Sequence, residues 1–198
     1  MRSYHISCSL SATVSLILII VGCTEDEVNV PQAKPIETQA EARQVYEHLK
    51  GVWEKGVKPE ISTKESSTVS IKLTGTKGNA IATGRTTITN SKSSLSSYSS
   101  TLYDVTISYS GFEDQGFTST GEIRFFESSS FESRCSSSGG CAYASKKSGS
   151  HKSASVEVQF LASSGPIADV IKIEAELTSI YSSWKIVVTT KSGKSFTF

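Results

Sequence analysis

From Ser66 onward, apolar residues recur at every second position. Val69, Ile71 and Leu73 alternate with serine and lysine, and Ile81 to Ile88 is a polar, threonine-rich second segment. Tyr103, Val105, Ile107 and Tyr109 alternate with Asp104, Thr106 and Ser108. Val156, Val158 and Phe160 repeat the pattern, as do Ile171, Ile173, Ala175 and Leu177, then Trp184, Ile186 and Val188, with Phe196 and Phe198 closing the chain. Successive side chains of a strand point to opposite faces, so each segment presents one apolar face and one polar face. Leu102 to Phe112 and Phe117 to Phe126, with Gly121, Ile123 and Phe125 in phase, read as a hairpin across Glu113-Asp114-Gln115-Gly116, where Gly116 suits a positive φ. The expectation is a mostly β domain of about eight antiparallel strands, either a curved up-and-down sheet or a small barrel.

One segment has the other period. Thr38-Gln39-Ala40-Glu41 has the form of a capping box, and Ala42, Val45, Leu49 and Val52/Trp53 follow at helical spacing with Tyr46 beside them. The spacing predicts a helix from Gln39 to about Lys50, extending at most to Trp53, with Gly51 and Pro59 as terminators. Glu41, Arg43, Glu47, His48 and Lys50 are expected on its solvated side. Ser91–Ser100 and Ser128–Ser150 are rich in serine, the latter also in glycine and lysine, and can bury little; they are expected as long hairpin tips or frayed strand ends.

The amino-terminal stretch carries an address. Arg2 supplies a positive charge, and Val14 to Val21 is an apolar run of secretory length, too short for a bilayer span of about 20 residues. It ends in Ile20-Val21-Gly22-Cys23, which resembles the bacterial lipobox. That resemblance implies a signal peptide over residues 1–22, cleavage before Cys23 by signal peptidase II, acylation of Cys23 and permanent attachment to a membrane. Residues 23–37, with the acidic Glu25-Asp26-Glu27 and Pro31 and Pro35, read as an extended tether with a reach of up to ~40 Å. Thr24 after the cysteine implies the outer membrane, while the acidic run resembles the surface-export signal of Bacteroidota lipoproteins; the periplasmic face and the cell surface both stay open.

Twenty basic against nineteen acidic residues, with no basic block, argue against nucleic acid as a partner. With Cys8 in the signal peptide and Cys23 lipidated, Cys135 and Cys141 face each other across Ser136-Ser137-Ser138-Gly139-Gly140 in an oxidising compartment, and a disulfide is expected. A zinc site would need more ligands than His151 nearby, and no phosphate loop, dinucleotide fingerprint or calcium loop occurs, so no metal or cofactor is implied. No Gly-x-Ser-x-Gly is present. Glu174 and Glu176, in phase on one strand, are the pair that a glycan-acting enzyme would need as acid and base.

Gly51-Val52-Trp53 ahead of an antiparallel meander is similar to the Gly-x-Trp motif of lipocalins, whose tryptophan plugs one end of a barrel. The resemblance implies carriage of a small apolar ligand. Trp53, Tyr103, Tyr109 and Trp184 are the aromatic residues expected to line a ligand site or the core. The expected domain covers residues 38–198, with its helix over 39–53. The expected function is non-catalytic binding of a protein, glycan or small apolar ligand by an envelope lipoprotein, with a glycan-acting enzyme and an integral outer-membrane barrel as alternatives.

Overall fold

The structure, a computed structural model, describes residues 32–62, 66–178 and 183–198. The signal peptide and Cys23 lie outside the described residues. Eight strands form one sheet in sequence order, each pairing antiparallel with the next. They are β1 (Ser67–Thr74), β2 (Lys77–Lys92), β3 (Ser96–Asp114), β4 (Phe117–Cys135), β5 (Cys141–Ala162), β6 (Gly165–Thr178), β7 (Ser183–Thr190) and β8 (Ser195–Thr197). The sheet is curved and unclosed: β1 and β8 are its two edges, and β8 is only three residues long.

One face of this sheet is apolar and wraps a helix. Val105, Ile107, Ile123, Phe125, Val156, Val158, Ile171, Ile173 and Val188 are buried there, while intervening residues such as Lys152, Glu157 and Lys172 are exposed on the convex side. Two irregularities keep the inward face continuous. In β3 the register with β4 shifts between Tyr109 and Phe112, and in β5 the register with β6 shifts between Ser153 and Val156. Residues three apart thus both point inward, which strict alternation forbids and a bulge allows. The hairpin between β3 and β4 turns at Gln115 (φ 49°) and Gly116 (φ 80°), the conformation its glycine suits.

Helix α1 (Gln39–Gly51) starts with the expected capping box: the Glu41 amide donates to Thr38 Oγ1 at 3.2 Å and the Thr38 amide donates to Glu41 Oε2 at 3.0 Å. The helix does not end near Trp53. Its backbone passes through a π-helical turn (Val52–Val57) and a last α-helical turn, α2 (Lys58–Ile61). The Lys58 amide donates to the Trp53 carbonyl, five residues back. This widened turn admits Pro59, which has no amide to offer and crowds the preceding turn of an ordinary helix. The inserted residue also keeps Val57 and Ile61 on the same buried side as Leu49 and Trp53.

Two residues expected on the solvated face are not there. Glu41 is 5% exposed, because it caps the helix and also accepts a 2.6 Å bond from the Ser164 hydroxyl. His48 is half-buried, its ring stacked on Phe117 with centroids 4.2 Å apart, and burial lowers its pKa. The last residues of the expected tether are docked as well. Lys34 makes a parallel bridge to Ile167, Ile36 is buried, and the Ile36 amide donates to Asp169 at 3.0 Å.

β2 to β5 run well beyond the helix-covered body. The serine-rich segments continue these strands in register to their tips, pairing Ser91 with Tyr98, Ser97 with Ser133 and Ser129 with Lys147. They form an arm whose outermost rung is the Cys135–Cys141 disulfide, with Cα atoms 4.0 Å apart.

Candidate functional site

Where the arm leaves the body, α2 and the inward face of the sheet enclose a cavity of about 410 Å³. Lys58 from α2, Thr101 and Tyr103 from β3, Glu127 from β4, Lys147 from β5 and Trp184 from β7 line it. Register explains the grouping. Tyr103 pairs with Glu127, Glu127 with Gly149, and Leu177 with Trp184, so these positions form a row across the sheet. Gly149 is a notch in that row: a Cβ there would lie 2.7 Å from Cη2 of Trp184. The indole leans over this gap and packs against His151, the rings tilted 32° with centroids 4.2 Å apart.

Beneath the cavity floor lies a chain of polar side chains. Glu127 Oε1 accepts from the Trp53 indole N–H at 2.7 Å, and Oε2 accepts from Lys58 Nζ at 2.6 Å. His151 Nε2 lies 3.4 Å from Glu127 Oε1, and Nδ1 lies 3.0 Å from the Tyr46 hydroxyl. A carboxylate only accepts, so Nε2 is assigned the proton and Nδ1 accepts from the phenol. Lys58 also lies 5.5 Å from the Tyr103 ring centroid, and Trp53 stacks on Phe125 at 5.2 Å. Each polar side chain of this core-facing cluster thereby has at least one partner, as burial of polar groups demands.

The electrostatics follow from that geometry. Burial alone would raise the Glu127 pKa, but hydrogen bonds from His151, Lys58 and Trp53, with the lysine charge, hold it near 2. Burial, reinforced by the charges of Glu47, Glu54 and Glu127, pushes the Tyr46 phenol well above its ordinary range. Tyr46 and His151 are sealed from solvent, whereas Glu127 keeps 18% of its side chain exposed and is the member that meets the cavity.

Of the aromatic residues singled out in the sequence, Tyr103 and Trp184 line the cavity, and Trp53 lies directly below it, fully buried on the helix. Tyr109 is elsewhere, six residues along β3 and about 20 Å away. It packs against Phe112, and its buried hydroxyl has no partner among the described residues. Cys135 and Cys141 stand at the tip of the arm. Glu174 and Glu176 are exposed on the convex side, Glu174 2.9 Å from Lys172 and Glu176 3.5 Å from Lys152. Among the described residues no group of three His, Cys, Asp or Glu side chains is placed to hold a metal ion.

Sequence reasoning missed Tyr46, Lys58, Glu127 and His151 as one group. A single signal was present: His151 stands in a stretch otherwise made of Ser, Lys, Gly and Ala, in step with the inward positions of β5. Compared with family models, with curated proteins and with solved structures, the chain matches none.

Proposed function

We propose that this chain is a lipid-anchored envelope protein that binds a polar ligand, without chemical conversion, in the cavity between α2 and the sheet. The observation that carries the reading is the cavity itself: hydroxyls, the lysines Lys58 and Lys147, the carboxylates Glu54 and Glu127 and an indole converge on a space of about 410 Å³, over a floor whose polar side chains already have partners. A carboxyl group held near pH 2 is a poor proton donor or acceptor at neutral pH, which favours binding over acid–base catalysis. The helix fills the sheet's concavity, so the apolar interior of a lipocalin-type carrier is taken by Leu49, Trp53 and Val57. A convex face of Lys, Glu, Ser and Thr favours a tethered domain over an integral barrel, whose outer face must be apolar.

Calorimetric titration of the full-length protein in detergent with galacturonic acid, N-acetylglucosamine and laurate tests the site. Saturable binding of a sugar, lost in Trp184→Leu, is the expected result. Binding of laurate alone, or sugar binding indifferent to Trp184→Leu, would overturn it. Attachment rests on Cys23, and Cys23→Ser should abolish incorporation of labelled palmitate; undiminished labelling would remove the anchor.

A further inference from the structure

The inward face of the arm continues the cavity floor as one surface. Paired residues of neighbouring strands share a face, so the register places Lys92, Ser97, Ser99 and Thr101 with Ser129, Phe131 and Ser133, and these with Tyr143, Ser145 and Lys147. Among the described residues no helix covers this part of the sheet. Phe131 and Tyr143 are 43% and 69% exposed, and their rings stack with centroids 6.2 Å apart. Lys92 and Lys147 enter no salt bridge among the described residues, and none of the inward positions beyond Glu127 is a carboxylate.

We infer that this face is a track for an acidic polysaccharide chain, one end of which occupies the cavity; the inference rests on the cavity being a ligand site. Three features select that occupant. The rows from Glu127 to Ser133 span about 20 Å, longer than a single sugar and open at the outer end. The aromatic pair offers flat apolar area to the faces of sugar rings, and the serine and threonine hydroxyls both donate and accept, as sugar hydroxyls require. Lys92 and Lys147, which enter no salt bridge among the described residues, complement an anionic chain along the arm, the carboxylates of Glu54 and Glu127 lying at the cavity end.

The test compares galacturonic acid, oligogalacturonates of increasing length, a maltodextrin and oligothymidylate on the full-length protein in detergent. Affinity should rise with oligogalacturonate length and fall with added salt. The exposed double variant Phe131→Ser/Tyr143→Ser should weaken the long oligomer about tenfold and leave the monosaccharide unchanged. Lys147→Glu should weaken the oligomer to a similar degree. Length-independent affinity, or arm variants that bind the oligomer like wild type, would overturn the track and leave the cavity reading intact. Equal, salt-insensitive binding of maltodextrin would overturn the acidic chain, and tighter binding of oligothymidylate would overturn the glycan. Loss of galacturonic acid binding in Trp184→Leu tests the cavity separately.

Discussion

The arm and the middle of the body share the same four strands, β2 to β5, each paired antiparallel with the next, yet they are held together by different forces. Along β3, Tyr103, Val105, Ile107 and Tyr109 are buried in the core, while Ser97, Ser99 and Thr101, two residues apart on the same face, are only partly covered. The body is stabilised by apolar area removed from water. The arm has backbone ladder bonds, the Ser97–Ser133 hydroxyl bond at 2.8 Å and one covalent cross-link at its tip. Pairing alone is enough to give an arm its shape, but the difference predicts that it contributes little to the stability of the whole.

Trp53→Ala gives the largest expected effect. It leaves a cavity between Phe125 and Tyr103 and removes a donor from Glu127, so denaturant unfolding should show a loss of about 3 to 5 kcal/mol. A loss below about 1 kcal/mol would mean that the helix is not what holds the body.

Acid should act on the body next. Because Glu127 has a folded pKa near 2, below its ordinary 4.5, its ionised form stabilises the fold above about pH 4.5, and that contribution disappears as the pH falls toward 2. Allowing for its partial exposure, about 2 to 3 kcal/mol is at stake. Stability of Glu127→Gln should therefore depend less on pH over that window, with Glu41, also held near 2, and the lowered carboxyl of Asp104 among the groups supplying the slope that remains. An unchanged slope would exclude Glu127 as an acid-sensitive group.

Reducing the Cys135–Cys141 disulfide sharpens the comparison most directly. Closing so short a loop constrains the unfolded chain by roughly 2 kcal/mol. If body and arm unfold together, that amount appears in the global transition. The expected result is instead that hydrogen exchange quickens in the arm rungs, Ser97–Thr101 and Ser129–Ser133, while the unfolding midpoint of the body barely moves. The smallest effect belongs to Ser99→Ala, within about 0.5 kcal/mol, whereas Ile107→Ala on the same strand should cost about 2 to 5 kcal/mol.

Much of the body was legible because its forces are local and periodic. The alternation through Tyr103–Tyr109, the turn at Gly116 and the capping box at Thr38 each follow from residues a few positions apart. The Cys135–Cys141 link was legible for the same reason. The helix extension was not, since Pro59 ordinarily stops a helix and only burial of Val57 and Ile61 makes a π-helical turn worthwhile. Glu41 looked solvated because its partner, Ser164, is over a hundred residues away. The cluster under the cavity was hidden likewise: Tyr46, Lys58, Glu127 and His151 meet only through strand register and the placement of the helix. The serine-rich segments read as long hairpin tips or frayed strand ends, and their full pairing was not legible because a strand without an apolar face leaves no period in the sequence.

The docking of Lys34 beside Ile167 sets a polarity for the whole molecule. In a meander, alternate turns fall at opposite ends, so the chain enters the fold at the end where β5 turns into β6, and the disulfide lies at the other. The 22 residues of β5 separate them, a span of at most about 70 Å. A tension applied through the amino-terminal segment would be taken up at Lys34, Ile36 and Asp169, at the opposite end from the disulfide. A domain tethered through that segment would be held at the end where β5 turns into β6, leaving the disulfide end of the arm free.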